Sequence, residues 1–417
     1  MPLLFKLSLV LASLLLIQSL FSLRDGYRFL AYVRRSLQIP PAPFHPPATV
    51  IVAVRGLDAG FDRNIEGLLT QAYPDYDLVF SVASENDPAY ACLAARLAVR
   101  RGAASPPRNT GLREARIVLA GYASDCGEKV NNLVAALREL PRATPVLVFA
   151  DADARMKPDW LRSLVAPLAD SAVTVSTGFR WYLPGRSAAS RLRAAWDTSV
   201  ATMLGDHRRN FAWGGSMAVR SADFERLRVA ERYWSGSVSD DYGLTRAVRD
   251  AGGCIRFEPR CLVASAEEIS LNDLLRWTNR QIIITRVYAP DLWGRGLASY
   301  ALFCGTFLLG LSDILVSGPA IERLLAAAVL AGILLLGASK ARLRMRVAKE
   351  TFPEEADLLE QRGSCYWRWW PLVPWLMLTN FVTAGLTNRI EWRGVYYELL
   401  SPHEVRVSRK EAKHSGG

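Results

Sequence analysis

Two carboxylates one residue apart, Asp151 and Asp153, follow the apolar run Val146-Leu147-Val148-Phe149-Ala150. On a loop just past a buried strand, such a pair can share a hard divalent cation. Mg²⁺ and Mn²⁺ take oxygen ligands of this kind together with substrate phosphates. A bare Asp-x-Asp is common in turns, so its weight comes from the preceding strand and from Arg155-Met156-Lys157-Pro158-Asp159-Trp160 after it. Ser84-Glu85-Asn86-Asp87-Pro88 sets another acidic loop behind a second apolar run. A third pair, Asp240-Asp241, precedes the helical pattern of residues 242–251. As plain structure, Asp at that place caps a helix and suits its dipole. Capping and catalysis are compatible, because a fixed carboxylate can serve as a base. Further on comes Leu274-Leu275-Arg276-Trp277-Thr278-Asn279-Arg280-Gln281. Its bland reading is an amphipathic helix at a membrane surface; Arg beside Trp can also hold a diphosphate and a sugar or acceptor.

The elements that must position these groups alternate between strand and helix. Strands are expected over 49–54, 77–83, 116–120, 146–150 and 173–179, with helices over 61–71, 89–100, 129–140 and 158–168. Continuous apolar strands separated by helices argue a buried, mainly parallel sheet. Ligands of such sheets bind beyond the carboxyl ends of the strands, where the first two acidic loops fall. No internal repeat is present.

Composition adds a membrane. The chain has 417 residues, 50% hydrophobic and 22% charged, with Lys+Arg 51 against Asp+Glu 40 and a net charge of +11. That length exceeds one small module, and the charge content excludes low-complexity and disordered classes. Residues 3–23 are almost unbroken apolar, about the length that crosses a bilayer. A cleaved signal peptide is the competing reading, but the chain continues into Arg24, Arg28, Arg34 and Arg35 with only a weak small-residue cleavage site. The basic flank places the following domain in the cytoplasm. Further candidate spans are 299–317, 321–337 and 367–387; Gly318-Pro319 forms a turn between the first two, and Trp367, Trp369 and Trp370 open the third as an aromatic belt. Asp313, inside the first of these, either marks a functional group or reaches the interface. Basic residues crowd beside the apolar spans, where anionic lipid attracts them. No nucleic-acid-binding signature is present, so nucleic acid is not an expected partner. The six cysteines are scattered without a CxxC pair and read as free thiols.

Taken in order, the motifs resemble family 2 glycosyltransferases, and more narrowly the ceramide glucosyltransferase branch. The resemblance is carried by Val52-Ala53-Val54-Arg55-Gly56-Leu57-Asp58, Gln71-Ala72-Tyr73-Pro74-Asp75-Tyr76, Glu85-Asn86-Asp87-Pro88-Ala89, Lys129-Val130-Asn131-Asn132-Leu133 and Trp392-Arg393-Gly394, with the acidic pairs and the Arg-Trp motif between them. It runs from the N-terminal anchor to about Tyr397. It implies an α/β fold: a GT-A nucleotide-sugar-binding domain with a mainly parallel central sheet, flanked by N-terminal and C-terminal transmembrane helices. The expected division is a 1–23 anchor, a 24–47 basic and Pro-rich linker, and a 48–265 transferase domain. A 266–297 amphipathic interfacial segment, a 298–339 transmembrane hairpin, a 340–366 basic segment, a 367–388 transmembrane or re-entrant helix and a 389–417 tail complete it.

Residue by residue, the resemblance implies that Asp87 contacts the nucleotide and that Arg55, Lys129 and Asp151 join it at the donor. Asp151 and Asp153 would hold the divalent metal. Asp241 would be the general base, with Asp240 where a Glu often stands. Arg276, Trp277 and His207 would serve the diphosphate or acceptor, although a lone His is more often structural. Asp273 replaces the usual Gln or Arg three residues before the motif's Arg. The implied activity is transfer, with inversion, of a sugar from a UDP-sugar, most simply glucose, to a lipid hydroxyl, most simply ceramide. The setting would be the cytoplasmic face of a membrane, a bacterial inner membrane in the simplest case, by a multi-pass protein of unspecified oligomeric state. Alternatives are another lipid such as a hopanoid with an N-acetylglucosamine donor, a processive polysaccharide synthase, or a membrane scaffold with a degenerate transferase domain.

Overall fold

The computed structural model describes residues 3–102, 111–316 and 319–409. Gly318 of the expected turn and Lys410 of the basic tail lie outside them. The chain divides into two compact units.

The first unit comprises Ser36–Arg180, Asp206–Ser265 and the segment from Asn388 onward. Seven strands form its main sheet: β1 (Ala48–Val54), β2 (Tyr76–Val82), β3 (Leu112–Leu119), β4 (Val146–Asp151), β5 (Val175–Tyr182), β6 (Ser216–Arg220) and β7 (Ile255–Ser265), in the order β3-β2-β1-β4-β6-β5-β7. β1, β2, β3 and β4 pair in parallel, while β6 runs antiparallel to both β4 and β5. This is the mainly parallel α/β sheet expected from the sequence. Because side chains alternate across a strand, Val50, Val52, Leu78, Phe80 and Val148 pack into a core on one face. Ile51, Val79, Leu147 and Phe149 pack into a second core on the other. Both faces are therefore covered, which is why the inner strands read as unbroken apolar runs.

Three strands follow at the C-terminal end: β8 (Arg389–Trp392), β9 (Val395–Ser401) and β10 (Glu404–Arg409), an antiparallel sheet in the order β10-β9-β8. This sheet stands where the sequence suggests only a tail. Val395, Tyr397 and Leu399 are buried on one face of it.

The second unit comprises the chain up to Arg35, Trp181–Gly205 and Ala266–Thr387. Among the described residues, three helices are long and apolar enough to cross a membrane: Phe5–Gln38, Pro290–Val316 and Ala320–Thr351. The N-terminal helix, Leu3–Gln38, continues well past the expected anchor into its basic flank. The second helix of the hairpin likewise carries Lys340, Arg342, Arg344, Arg346 and Lys349 in unbroken helix to Thr351. The last candidate span is broken instead. Cys365–Arg368 and Trp370–Leu372 are single turns, and the helix proper is Val373–Leu386, 14 residues. At 1.5 Å per residue that is about 21 Å, against a hydrocarbon core of about 30 Å. Asp313 is buried, lining a small cavity with Ser8 and Thr306. All six cysteines are free.

Candidate active site

The site grows from the carboxyl ends of the parallel strands. β1 and β4 are neighbours with Ala53 beside Asp151, so the turn Arg55-Gly56 and the Asp-x-Asp loop emerge side by side. Gly56 sits at φ +64°, a left-handed conformation that glycine adopts without steric cost. Its amide donates to both oxygens of Asp87, at 2.9 and 3.1 Å, and the Ala89 amide donates to the same carboxylate at 2.9 Å. Asp87 thus ties the loop after β1 to the helix Pro88–Gly102. Arg55 forms an ion pair with the buried Glu128. Glu128 also meets Arg409 at 3.4 Å.

At the centre stands Lys129. Its ammonium lies 2.8 Å from Asp151 Oδ1 and 3.0 Å from Asp240 Oδ2. Burial by itself would lower the Lys129 pKa, but Asp151, Asp240 and Asp241 outweigh it and raise it, so the lysine stays charged. Burial pushes Asp240 up to about 6, with the Asp241 and Asp151 carboxylates adding to the effect and Lys129 opposing it. Asp240 therefore takes up a proton as pH falls through about 6, and Lys129 then loses one of its two anionic partners. The expected result is an acid limb in kcat/KM near pH 6 that is absent from Asp240→Asn; a profile flat to pH 5 in the unaltered protein would contradict it.

Ser239, not an aspartate, caps the helix Asp240–Asp250, accepting from the Tyr242 amide at 3.3 Å. The expected Asp cap is displaced by a residue because serine caps as well, which moves both aspartates into the first turn. There Asp240 turns inward and is buried, while Asp241 remains partly open to solvent. Asp241 Oδ1 accepts from the Ser239 hydroxyl and, at 2.8 Å, from the Tyr242 amide; Oδ2 accepts from Gly214 at 3.3 Å. One side of the carboxylate is thereby fixed and the group stays accessible.

Three features of the site go beyond the residues expected from sequence. Arg180, at the end of β5, bonds Asp153 and lies 3.5 Å from Asp151 Oδ2, its guanidinium over the Trp213 ring. Gly214 and Gly215 pass so close that a Cβ at Gly214 would lie 2.3 Å from Asp240 Oδ2 and 2.6 Å from Lys129 Nζ. Arg393, between β8 and β9, donates to the Arg55 carbonyl and to Asp58, at 2.8 and 3.0 Å for the two Asp58 oxygens, and lies 3.9 Å from Asp153 Oδ2. Trp213-Gly214-Gly215 and Trp392-Arg393-Gly394 are the available sequence signals; Arg180 has none.

The acidic loop fits a divalent cation. Asp153 is partly buried, which would raise its pKa, but Arg180, Arg393 and Lys129 hold it below the usual carboxylate range, so it is anionic. Asp151 and Asp153 are hard oxygen donors on one loop, and the remaining ligands of Mg²⁺ or Mn²⁺ come from phosphate and water. Among the described residues no group of three acidic, His or Cys side chains converges; Asp151 and Asp153 are the residues that would hold such an ion.

Arg276 and Trp277 belong to the second unit, on the helix Leu271–Tyr288. Trp277 packs edge-on against Tyr182 and Trp196, ring centroids 5.5 and 5.1 Å away. Asp273 has a local explanation. Ser270 caps this helix, accepting from the Asp273 amide at 3.1 Å and bonding its carboxylate at 2.6 Å, an acidic side chain in the first turn where the dipole favours it. Asp273→Ala should lower the unfolding free energy by about 0.5–1 kcal/mol and leave kcat unchanged; a large loss of kcat would instead make position 273 a substrate contact. His207 sits on an exposed turn, its Nδ1 accepting from the Arg209 amide at 3.2 Å. That contact is structural: it closes the turn on itself.

An α/β sheet with acidic loops beyond its strand ends suits the binding of a phosphorylated ligand. The chain belongs to glycosyl transferase family 21, whose model matches residues 14–405. Ceramide glucosyltransferase 1 of Caenorhabditis elegans is 26% identical over 140 residues, 34% of this chain and 28% of that protein. The match thus spans little more than a quarter of the curated relative's length. Among solved structures, a mannosyltransferase from Pyrobaculum calidifontis in complex with GDP-Man and Mn²⁺ is 16% identical, with 93% of this chain and 99% of that one covered and a TM-score of 0.49. Glucosyl-3-phosphoglycerate synthase from Mycobacterium tuberculosis, in complex with phosphoglyceric acid, is 15% identical, with 59% and 80% covered and a TM-score of 0.38.

Proposed function

We propose that this glycosyltransferase moves a sugar from a nucleotide diphosphate donor to a lipid hydroxyl at a membrane surface, with inversion at the anomeric carbon. UDP-glucose and ceramide are the simplest pair. The observation that carries the reading is Asp241: a partly open carboxylate, fixed by Ser239, Tyr242 and Gly214, in one unit with an Asp-x-Asp loop surrounded by cations. Asp241 takes the proton of the attacking hydroxyl. A single displacement from the face opposite the leaving group gives a β-linked product from an α-linked donor. Lys129 and Arg180 offset the negative charge that gathers on the departing diphosphate. A divalent cation held by Asp151 and Asp153 would add charge neutralisation of the same kind. Asp87 and Arg55 hold the loop against which the nucleotide lies, and Arg276 and Trp277 serve the diphosphate or acceptor.

The lipid acceptor is supported by the long apolar helices and by the ceramide glucosyltransferase relative. Topology supports it as well. The segment from Asn388 shares a unit with the main sheet, which supports an even number of crossings between Ser265 and Asn388. Pro290–Val316 and Ala320–Thr351 are the candidates for those two crossings, and the 14-residue length of Val373–Leu386 supports a re-entrant segment. The positive flank of the first helix supports a catalytic unit on the cytoplasmic face.

The test is release of UDP by the purified protein with UDP-glucose, divalent metal and ceramide, followed by mass spectrometry of lipids from hosts with and without it. A new hexosyl-ceramide supports the full reading. A sugar on a hopanoid or other lipid, or N-acetylglucosamine in place of glucose, keeps the lipid transferase and replaces the substrate. No donor binding and no turnover with any lipid would overturn it.

A further inference from the structure

We propose that Arg393, carried in from the C-terminal sheet, is a binding residue for the donor's diphosphate; this deepens the nucleotide-sugar reading above and rests on it. Arg393 and Arg228 are the non-glycine residues in left-handed backbone among those described, Arg393 at φ +50°. Such a conformation costs free energy and persists where the surroundings over-determine it, often at ligand sites. Here the turn Trp392-Arg393-Gly394 joins β8 to β9 and aims one guanidinium at two loops. It bonds the Arg55 carbonyl after β1, holds Asp58 through both carboxylate oxygens at 2.8 and 3.0 Å, and reaches to 3.9 Å from Asp153 Oδ2. The last separation is close enough for charge and too long for a hydrogen bond.

Three cations flank the acidic loop, and they differ in reach. The side chains of Arg180 and Lys129 are 8% and 14% exposed, whereas Arg393 is 34% exposed. Arg180 and Lys129 are enclosed with the carboxylates they neutralise. Arg393 is the one a ligand entering from solvent meets first, and its planar fork suits paired phosphate oxygens. Asp58 holds that fork through Nη2, leaving Nε without a bond to Asp58.

Binding to the full-length, detergent-purified protein tests this, with UDP and uridine as probes and GDP as an alternative diphosphate. Arg393→Ala should weaken UDP binding by about 10-fold or more, the scale of a charged hydrogen bond, and leave uridine binding unchanged. Arg393→Lys should fall between, and added guanidinium should restore UDP affinity to the alanine variant. The exposed Arg406→Ala should behave as the unaltered protein. If Arg393→Ala does not fold, the lysine variant alone carries the comparison. Equal loss of UDP and uridine, or no loss of either, would overturn the proposal while leaving the transferase reading intact. An unaltered protein that binds neither diphosphate would remove both together.

Discussion

Asp241→Asn is expected to reduce turnover by about 10²–10⁴-fold, the contribution of a positioned general base, with donor binding retained. The substitution is nearly isosteric, and the amide oxygen can take the place of Oδ1, accepting from the Tyr242 amide as the carboxylate does at 2.8 Å, while the weaker 3.3 Å contact from the Gly214 amide to Oδ2 is given up. What it removes is the capacity to take a proton. Because the acceptor hydroxyl is a poor nucleophile until deprotonated, the loss falls on kcat and not on donor affinity. Donor titration and steady-state turnover on the same preparation separate the two. Retained turnover would remove Asp241 as the base, and the role would pass to Asp240, whose buried position beside Lys129 suits it less well.

Lys129→Met should be the most damaging single change to stability, by roughly 3–5 kcal/mol, the usual result of breaking a buried ion pair from one side. Lys129 is 14% exposed at its side chain and stands between Asp151 and Asp240, themselves 25% and 5% exposed. Methionine matches the stem in volume but takes away the ammonium between the two carboxylates, leaving Asp240 without its cation and Asp151 with Arg180 alone, at 3.5 Å. Their repulsion is then met by protonation: without Lys129, which holds the Asp240 pKa down, Asp240 takes up its proton above pH 6, so the loss should shrink as pH falls toward about 6 and level off below it, where Asp240 is protonated in the parent as well. Thermal unfolding at several pH values reads this directly. A variant as stable as the parent at pH 7 would mean that the ammonium is not the partner of both acids. Whatever Lys129 does for the donor, its geometry gives it a prior duty to the acids.

Much of the fold is legible in the sequence because burial on both sheet faces leaves a plain trace. β1, β2 and β4 are apolar at nearly every position, since alternate residues enter two different cores. β6 and β7 leave weaker traces. Ser216–Arg220 is five residues long, and Ile255–Ser265 carries Glu258-Pro259-Arg260 in its middle. Proline there is tolerated because β7 lies at the end of the strand order, where an unpaired amide costs nothing. The C-terminal sheet hides because β8–β10 alternate buried and exposed residues over short lengths, a pattern easily taken for an irregular tail. Of the site, the acids can be found because they follow strands in sequence. Arg180 cannot, because its meeting with Asp153 exists only in three dimensions, and Arg393 leaves only the Trp392-Arg393-Gly394 motif, which does not tell where its side chain goes. The Asp240-Asp241 pair stands out in the sequence, but its cap is ambiguous there, since Ser239 and the aspartates are all good capping residues.

The place of β8–β10 has a consequence for biosynthesis. A chain translated as far as Thr387 already contains every described strand of the main sheet and every long apolar helix, yet lacks the residue that holds Asp58 and the turn after β1. The catalytic loops are therefore clasped last, after the membrane helices have been synthesised. A chain lacking the residues after Thr387 would keep the main sheet and the long apolar helices but lose the Arg393 bonds to Asp58 and to the Arg55 carbonyl, which leaves the loop after β1 untied from the C-terminal sheet.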